Sequence, residues 1–399
     1  MLLPVDEALA RIMAAISPKG CESVALDAAA GRVLAAPVPA STDNPPFDAS
    51  AMDGYAVRAE DVHEGAVLRQ IGVSQAGEAF AGTVSKGVCA RIFTGAPMPE
   101  GADTVIMQEQ TMADGDAITF LADSVPGKNV RPRGHDFRTG DILVAAGARL
   151  SPNHIALIAA ANHASVTVTQ APHIAIMATG DELVPPGSPL PMGRIVGSNS
   201  FGLGSLFAPY AAGIADLGII PDDMGILNRA IGAALDNAPD VLVTTGGASV
   251  GEHDLVQDAL KANGVEIDFW RIAMRPGKPL MFGRKDKTIV FGLPGNPVSA
   301  LVTATVFVLP AIRAMLGETP PARLTMPLAS PLPANGPRRH FIRAFRTPAE
   351  NGVTGVAPIG ETDSGHLSSL AKSDCLIVQR EHDEGRMAGA PVEVIELAR

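Results

Sequence analysis

Three short apolar runs, at 174–177, 241–243 and 289–291, each lead straight into a loop and then into a helical pattern. The loops read TGDELV from Thr179, TTGGASVGEHD from Thr244 and GLPGNPVSALV from Gly292. Short buried strands alternating with helices predict a doubly wound α/β domain, a parallel sheet with helices on both faces. In such sheets ligands bind in the crevice beyond the carboxyl ends of the strands, which is where all three loops fall.

The flanking sequence has a different texture. The first residues place Val5, Leu9, Ile12, Met13 and Ile16 at helical spacing, with no basic leader, so they predict an amphipathic helix rather than a signal peptide. From about 41 to 138 the chain is rich in Gly and Pro with short alternating runs at 67–73 and 117–121, a β-rich pattern. Ser151 and Pro152 then supply an N-cap and a first helical residue for a helix that hands over to a strand. Beyond about 320 the segments are Pro-rich and alternating, which predicts a small all-β module. At 399 residues the chain is long enough for two to four domains. The expected division is 1–170 with a β-rich insertion at about 51–136, the α/β domain at 171–318, and a C-terminal all-β domain at 319–399. The apolar stretch at 298–316 contains Pro310 and Arg313 and is expected to be a buried helix, not a membrane span.

A formal net charge of −11 argues against a general nucleic-acid binder, because such affinity comes from neutralising phosphates with Lys and Arg. Any anionic ligand must be held locally, by backbone N–H groups, helix N-termini and a few placed cations. Cys21, Cys89 and Cys375 are widely spaced without a CxxC pair, which supports neither a disulfide framework nor a zinc site and fits the cytoplasm.

Four constellations carry chemistry. Gly246, Gly247, Ser249 and Gly251, followed by Glu252, His253 and Asp254, form a loop whose amides can cradle a phosphate; a plain tight turn is the bland alternative. The same loop contains G-x-S-x-G, but Glu252 and Asp254 crowd Ser249 with negative charge and suit a metal or water better than a nucleophilic serine. In GLPGNPVSA, Pro294 and Gly295 fix a turn and Asn296 can cap a helix starting at Pro297, leaving an outward-facing helix N-terminus. In MRPGKP, Arg275 and Lys278 flank a Pro-Gly turn and can grip an oxyanion. Finally Asp53, Glu182, Asp223 and Asp254 all sit in or after turn-rich loops, and carboxylates gathered beside phosphate would hold Mg²⁺.

Taken in order, these segments resemble one family, the MoeA-type molybdopterin molybdenumtransferases, related to the C-terminal domain of gephyrin. The residues carrying the resemblance are PPFDASAMDGYAV from Pro45, RIFTGAPMPEGADTVIMQE from Arg91, GHDFRTGD from Gly134, TGDELV, GGASVGEHD, MRPGKP and LPGNPVSA. The resemblance implies an elongated multidomain chain with a MogA/MoaB-like central domain, a β-rich domain and a C-terminal small β-barrel-like domain. It also implies a homodimer in which the α/β domain faces the β-rich domain of the partner subunit. The implied reaction joins molybdate to adenylylated molybdopterin with release of AMP and with Mg²⁺. Positions carried over are Asp53, Thr94, Asp136, Glu182, Asp223, Asp254, Pro294 and Pro297, with Asp223 and Asp254 as metal ligands. The oxyanion site is expected at Arg275, Lys278 and Ser299, joined by Arg338 and Ser369. Members of the family often carry Lys where this chain has Arg271 and Arg275; Arg keeps the charge but presents a planar fork. Implied partners are molybdopterin adenylyltransferase and molybdoenzyme chaperones, with no nucleic acid and no membrane. A molybdopterin adenylyltransferase and a non-catalytic gephyrin-like scaffold stand as the alternative readings.

Overall fold

The computed structural model describes residues 2–247, 255–348, 352–360 and 363–397. At its centre is a six-stranded sheet in the order Gly213–Ile220, His173–Thr179, Val241–Thr245, Thr288–Leu293, Pro279–Lys285, Glu266–Arg271. The first four strands are parallel, as expected. The last two pairings are antiparallel, so the sheet is mixed at one edge and not parallel throughout. The cause is local: Lys285 pairs with Thr288, leaving only Asp286 and Lys287 to turn the chain, with Asp286 at φ 52°. A two-residue connection can only join antiparallel neighbours. It carries no Asn-Gly or Asp-Gly signature and so left no mark in the sequence.

Alternation along the strands divides the core in two. Ile174, Ile176, Val241, Val243 and Phe291 point to one face, where they meet Leu203 and Phe207 and the apolar helical run Pro297–Met315. Ala175, Met177, Leu242 and Val290 point to the other, against Leu227 and Ile231 of the helix Met224–Asp236 and Val256 and Leu260 of the helix Leu255–Ala262. The run Pro297–Met315 is 72% buried, which fits the core helix expected there. It passes through a π-helical turn, Ala304–Val308, just before Pro310. The proline lacks an N–H and its ring would collide with the carbonyl one turn back, and the wider turn makes room for it. The first helix, Val5–Ala14, buries Val5, Ala8 and Ile12 in this same core, although its chain position assigns it to the region 1–170.

Outside the central sheet, Cys21–Ala25 pairs with Ser165–Thr169 and Val38–Pro39 with Ile142–Val144, around Leu34, Leu150, Ile158 and Val168. Ser151 caps the helix Pro152–Ala160 by accepting from the N–H of His154, and the His154 ring accepts in return from the N–H of Ser151. Between these paired segments lies a second six-stranded sheet, from Gly54–Val57 to Ala117–Phe120, with a core at Tyr55, Leu68, Ile106 and Phe120.

The C-terminal sheet contains Arg339–Pro348, Cys375–Gln379, Pro391–Glu396 and Leu324–Pro327, with Thr354–Pro358 alongside. Two features depart from a self-contained all-β module. Met274–Arg275, from within the α/β segment, adds to it as a parallel edge strand. A five-residue helix, Leu367–Ala371, interrupts it and is too short to show helical periodicity.

Glu318 ties these units together. Its carboxylate accepts from Arg149 at 2.9 Å and from Arg313 at 2.7 Å, and its side chain is only 6% exposed. Burial alone would raise its pKa, but the two guanidinium contacts prevail and hold it below the ordinary Glu range. A depressed carboxyl stabilises the fold above the unfolded-state pKa and loses that contribution as pH falls through the folded-state value. Glu318→Gln is therefore expected to cost about 3 kcal/mol at pH 7, measured by urea unfolding. The gap from the unmodified protein should close below about pH 4; a gap independent of pH would show that the charge is not what matters.

Candidate functional site

The loops after Thr179, Thr245 and Leu293 enclose a cleft of about 680 Å³. Its lining includes Glu182, Gly246, Gly247, Lys278, Pro294, Gly295, Asn296, Pro297 and Ser299, so these expected residues do meet. The glycine turn is built by contact. Gly246 has φ 91°, and a Cβ there would lie 2.1 Å from the carbonyl oxygen of Thr179. Gly247 has φ 65°, and its Cβ would lie 2.3 Å from a methyl of Val256. Both the conformation and the space exclude a side chain. Gly295 approaches as well, its Cβ position 3.6 Å from the Gly246 Cα, so two of the three loops touch. Ser249, the serine of the G-x-S-x-G pattern, lies outside the described residues, as do Gly251 and Asp254.

Asn296 occupies the N-cap position of the helix Pro297–Thr303, but its side chain does not cap it. The amide instead donates to the Ser364 hydroxyl at 3.0 Å, and the Val298 N–H donates to the Ser364 carbonyl at 3.2 Å. The expected open helix N-terminus is thus partly closed by a loop of the C-terminal module. Asn199 braces the same loop by donating to the Gly295 carbonyl at 2.8 Å, and its own side-chain oxygen is buried without a partner. The Thr245 hydroxyl is buried without a partner too. Both residues line the cleft, and such atoms suit a ligand that brings its own polar groups.

The acids separate into three places. Glu182 faces the cleft, and the neighbouring Asp181 accepts from the backbone N–H of Asp222 at 3.2 Å. Burial, joined by the charges of Asp181 and Glu182, raises the Asp222 carboxyl above its usual range. Asp223, the expected metal ligand, caps the helix Met224–Asp236 by accepting from Ile226 N–H at 2.8 Å. The acid electrostatically coupled to Glu182 is its neighbour Asp222, and the doublet in IIPDD was the signal for it. Asp53 accepts from the Thr94 N–H at 2.7 Å and hydroxyl at 2.8 Å, and these bonds, backbone first, lower its pKa. Asp136 accepts from Asn44 at 3.1 Å. Asp53, Thr94 and Asp136 belong to the β-rich segment and are not part of the lining of this chain's own cleft.

The basic residues also divide. Lys278 lines the cleft, and the turn before it presses on the helix, since a Cβ on Gly277 would lie 2.2 Å from the Thr303 hydroxyl. Arg275, on the edge strand, contacts His340 at 2.7 Å between Nη2 and Nδ1. Burial first, then Arg275, Arg343 and Arg338, push the His340 pKa down to about 4. Ser369 is engaged within the chain. It is 7% exposed, accepts from Arg343 and donates to the His366 carbonyl at 2.7 Å. Arg343 is the side chain that holds the Ser369 hydroxyl.

An α/β ligand-binding enzyme, with loops enclosing a cleft at its strand ends and β-rich units on either side, is the class that this fold and cleft define. Residues 3–162 match the MoeA N-terminal region (domain I and II), 175–314 a probable molybdopterin binding domain, and 325–397 the MoeA C-terminal region (domain IV). The chain is 36% identical to the molybdopterin molybdenumtransferase of Haemophilus influenzae, over 99% of this chain and 98% of that one. It is 37% identical to the molybdopterin molybdenumtransferase of a Nostoc species, over 96% and 90% respectively. The crystal structure of a molybdopterin biosynthesis MoeA protein from Pyrococcus horikoshii superposes with a TM-score of 0.85 at 30% identity, covering 100% of both chains. The chain belongs to the MoeA family of molybdopterin molybdenumtransferases.

Gly246→Ala is expected to lower stability by about 1–3 kcal/mol, the cost of forcing a side chain into a left-handed, occupied position, and to abolish ligand binding in the cleft. Calorimetric unfolding and titration with a pterin ligand check both effects. Unchanged binding would mean that the close approach of this turn is not needed by the site.

Proposed function

We propose that this chain inserts molybdate into adenylylated molybdopterin and releases AMP, completing a step of molybdenum cofactor biosynthesis. The observation that carries the reading is the convergence in one cleft of the glycine turn at Gly246 and Gly247, the Pro294–Pro297 loop, Lys278 and Glu182, in a chain similar over its whole length to molybdenumtransferases. Backbone amides of the two loops would hold the pterin phosphate and adenylate, while Lys278, Arg275, Arg338 and Ser299 hold the oxyanion substrate. Glu182 and Asp53 would position the reacting groups or carry a proton, with Asp136 beside them.

Magnesium fits the crowding of Asp222 by Asp181 and Glu182, a concentration of negative charge that a cation relieves. Among the described residues no three His, Cys, Asp or Glu side chains converge to hold a metal alone. That agrees with an ion that takes one or two carboxylates and completes its shell with phosphate oxygens and water. Asp223 and Asp254, the expected ligands, would hold it together with Asp222, and the ion would stabilise charge developing on the cleaved phosphoanhydride.

A homodimer is part of this reading, because Asp53, Thr94 and Asp136 lie on the β-rich segment and would complete the cleft of a second copy. The bodies of that dimer would be 1–170 with its insertion, 171–318 and 319–399. The cytoplasm is the proposed compartment, consistent with three free cysteines, two of them buried with thiol pKa values pushed up to about 12, by burial before any other cause. Molybdopterin adenylyltransferase and molybdoenzyme chaperones are the proposed protein partners.

Incubation with adenylylated molybdopterin, Mg²⁺ and molybdate is expected to release AMP and load the metal. Pyrophosphate release from ATP would instead favour an adenylyltransferase, and peptide binding without turnover would favour a scaffold. Lys278→Ala should lower kcat/KM by about 100-fold, the usual loss when one charged contact to a developing anion is removed. Asp254→Ala should abolish AMP release in a folded protein, and normal turnover in that variant would remove Asp254 from the mechanism.

A further inference from the structure

The edge strand Met274–Arg275 runs parallel to Arg339–Pro348 with Arg275 in register with His340. The two side chains meet, with Arg275 Nη2 2.7 Å from His340 Nδ1. A guanidinium carries only N–H donors and does not deprotonate, so Nδ1 must present its lone pair and the ring proton must sit on Nε2. His340 is 8% exposed, and the charged groups around it are Arg275 from the edge strand, Arg343 from its own strand and Arg338 just before that strand begins. An imidazolium would be a further cation among guanidiniums; a neutral ring satisfies one donor of Arg275 and adds no charge. Among the described residues no carboxylate stands within 4.0 Å of Arg275 or Arg338. The guanidinium of Arg275 is thus oriented by a neutral acceptor while its positive charge stays uncompensated.

Resting on the oxyanion role proposed above for Arg275, we propose that His340 is a positioning residue of the oxyanion site: its neutral Nδ1 holds the Arg275 guanidinium in the orientation that receives molybdate, without neutralising it. A carboxylate could give the same orientation only by pairing with the charge that the anion needs. A side chain without an acceptor would release the guanidinium to sample other rotamers, and the ordering would have to be regained on binding.

The test uses the full chain, with inorganic molybdate as the probe, measuring Kd by calorimetric titration and KM and kcat by AMP release from adenylylated molybdopterin. His340→Leu is expected to raise the molybdate Kd and KM about tenfold while kcat changes by less than about twofold, the size of effect lost with one hydrogen bond to a charged group. His340→Gln, whose side-chain oxygen can accept from Arg275, should recover to within about threefold of the unmodified protein. In an Arg275→Ala background, His340→Leu should add nothing, because the two act as one unit. Additive effects, or an unchanged Kd in His340→Leu, would overturn the proposal. Should His340→Leu fail to fold, ¹⁵N NMR of the unmodified protein decides independently: a Nε2–H ring at pH 7 is expected, and a Nδ1–H ring or an imidazolium refutes it. Unmodified protein that neither binds molybdate nor releases AMP removes the functional reading itself and this role with it, an outcome distinct from normal turnover with an indifferent His340.

Discussion

The cleft depends on how closely the chain can pack against itself at the end of the strand Val241–Thr245. Two consecutive residues with positive φ, Gly246 and Gly247, let the backbone lie against the Thr179 carbonyl and the Val256 methyl, where any Cβ would collide. Gly295 closes in from the third loop. The contacts with Thr179 and Gly295 are backbone to backbone, and the Gly246 N–H donates to the Leu293 carbonyl at 3.3 Å, so the turn is held by the sheet itself. Glu182 and Lys278 then enter from neighbouring loops whose paths are set by the same strand ends. The parallel order of the first four strands is what brings those ends to one side.

Much of this was legible in the residues because it rests on periodicity and on glycine. The three strands, the two helix layers and the buried run Pro297–Met315 follow from alternation and helical spacing. A turn without a signature and contacts between distant segments left no such trace. The antiparallel edge turns on a two-residue link at Asp286 and Lys287 that lacks a turn signature. The first helix joins the α/β core because its apolar stripe fits there, which chain order does not reveal. At the site, the sequence carries residue types but not their hydrogen-bond partners. Asn296 sits at a helix start, yet its side chain is drawn to Ser364, and Ser369 is engaged by Arg343. Asp223 does what an aspartate before a helix usually does, and Asp222 is the member of the doublet whose carboxyl is crowded by Asp181 and Glu182.

The electrostatic problem of the molecule explains why so few cations matter. With a net charge of −11, long-range attraction of an anionic substrate is weak, so binding must come from short-range geometry. The unpartnered Asn199 Oδ1 and Thr245 hydroxyl in the cleft lining offer an acceptor and a donor to a ligand's polar groups. Lys278, Arg275 and Arg338 supply local positive charge, and for Arg275 and Arg338 no described carboxylate is close enough to cancel it.

The placement of Arg275 links the cleft to the C-terminal sheet more tightly than chain order suggests. By hydrogen bonding, Met274–Arg275 is an edge strand of that sheet; by sequence it is separated from the cleft residue Lys278 only by Pro276 and Gly277. Gly277 is packed against Thr303, so this short turn cannot absorb a large displacement. The contact from Ser364 to Asn296 and Val298 makes a second link, from the C-terminal module to the loop after Leu293. A movement of the C-terminal sheet therefore shifts a cation and an anion-holding loop together. The module braces the site from outside its lining, and a chain truncated before 319 would retain the glycine turn while losing the partners that fix Arg275 and Asn296.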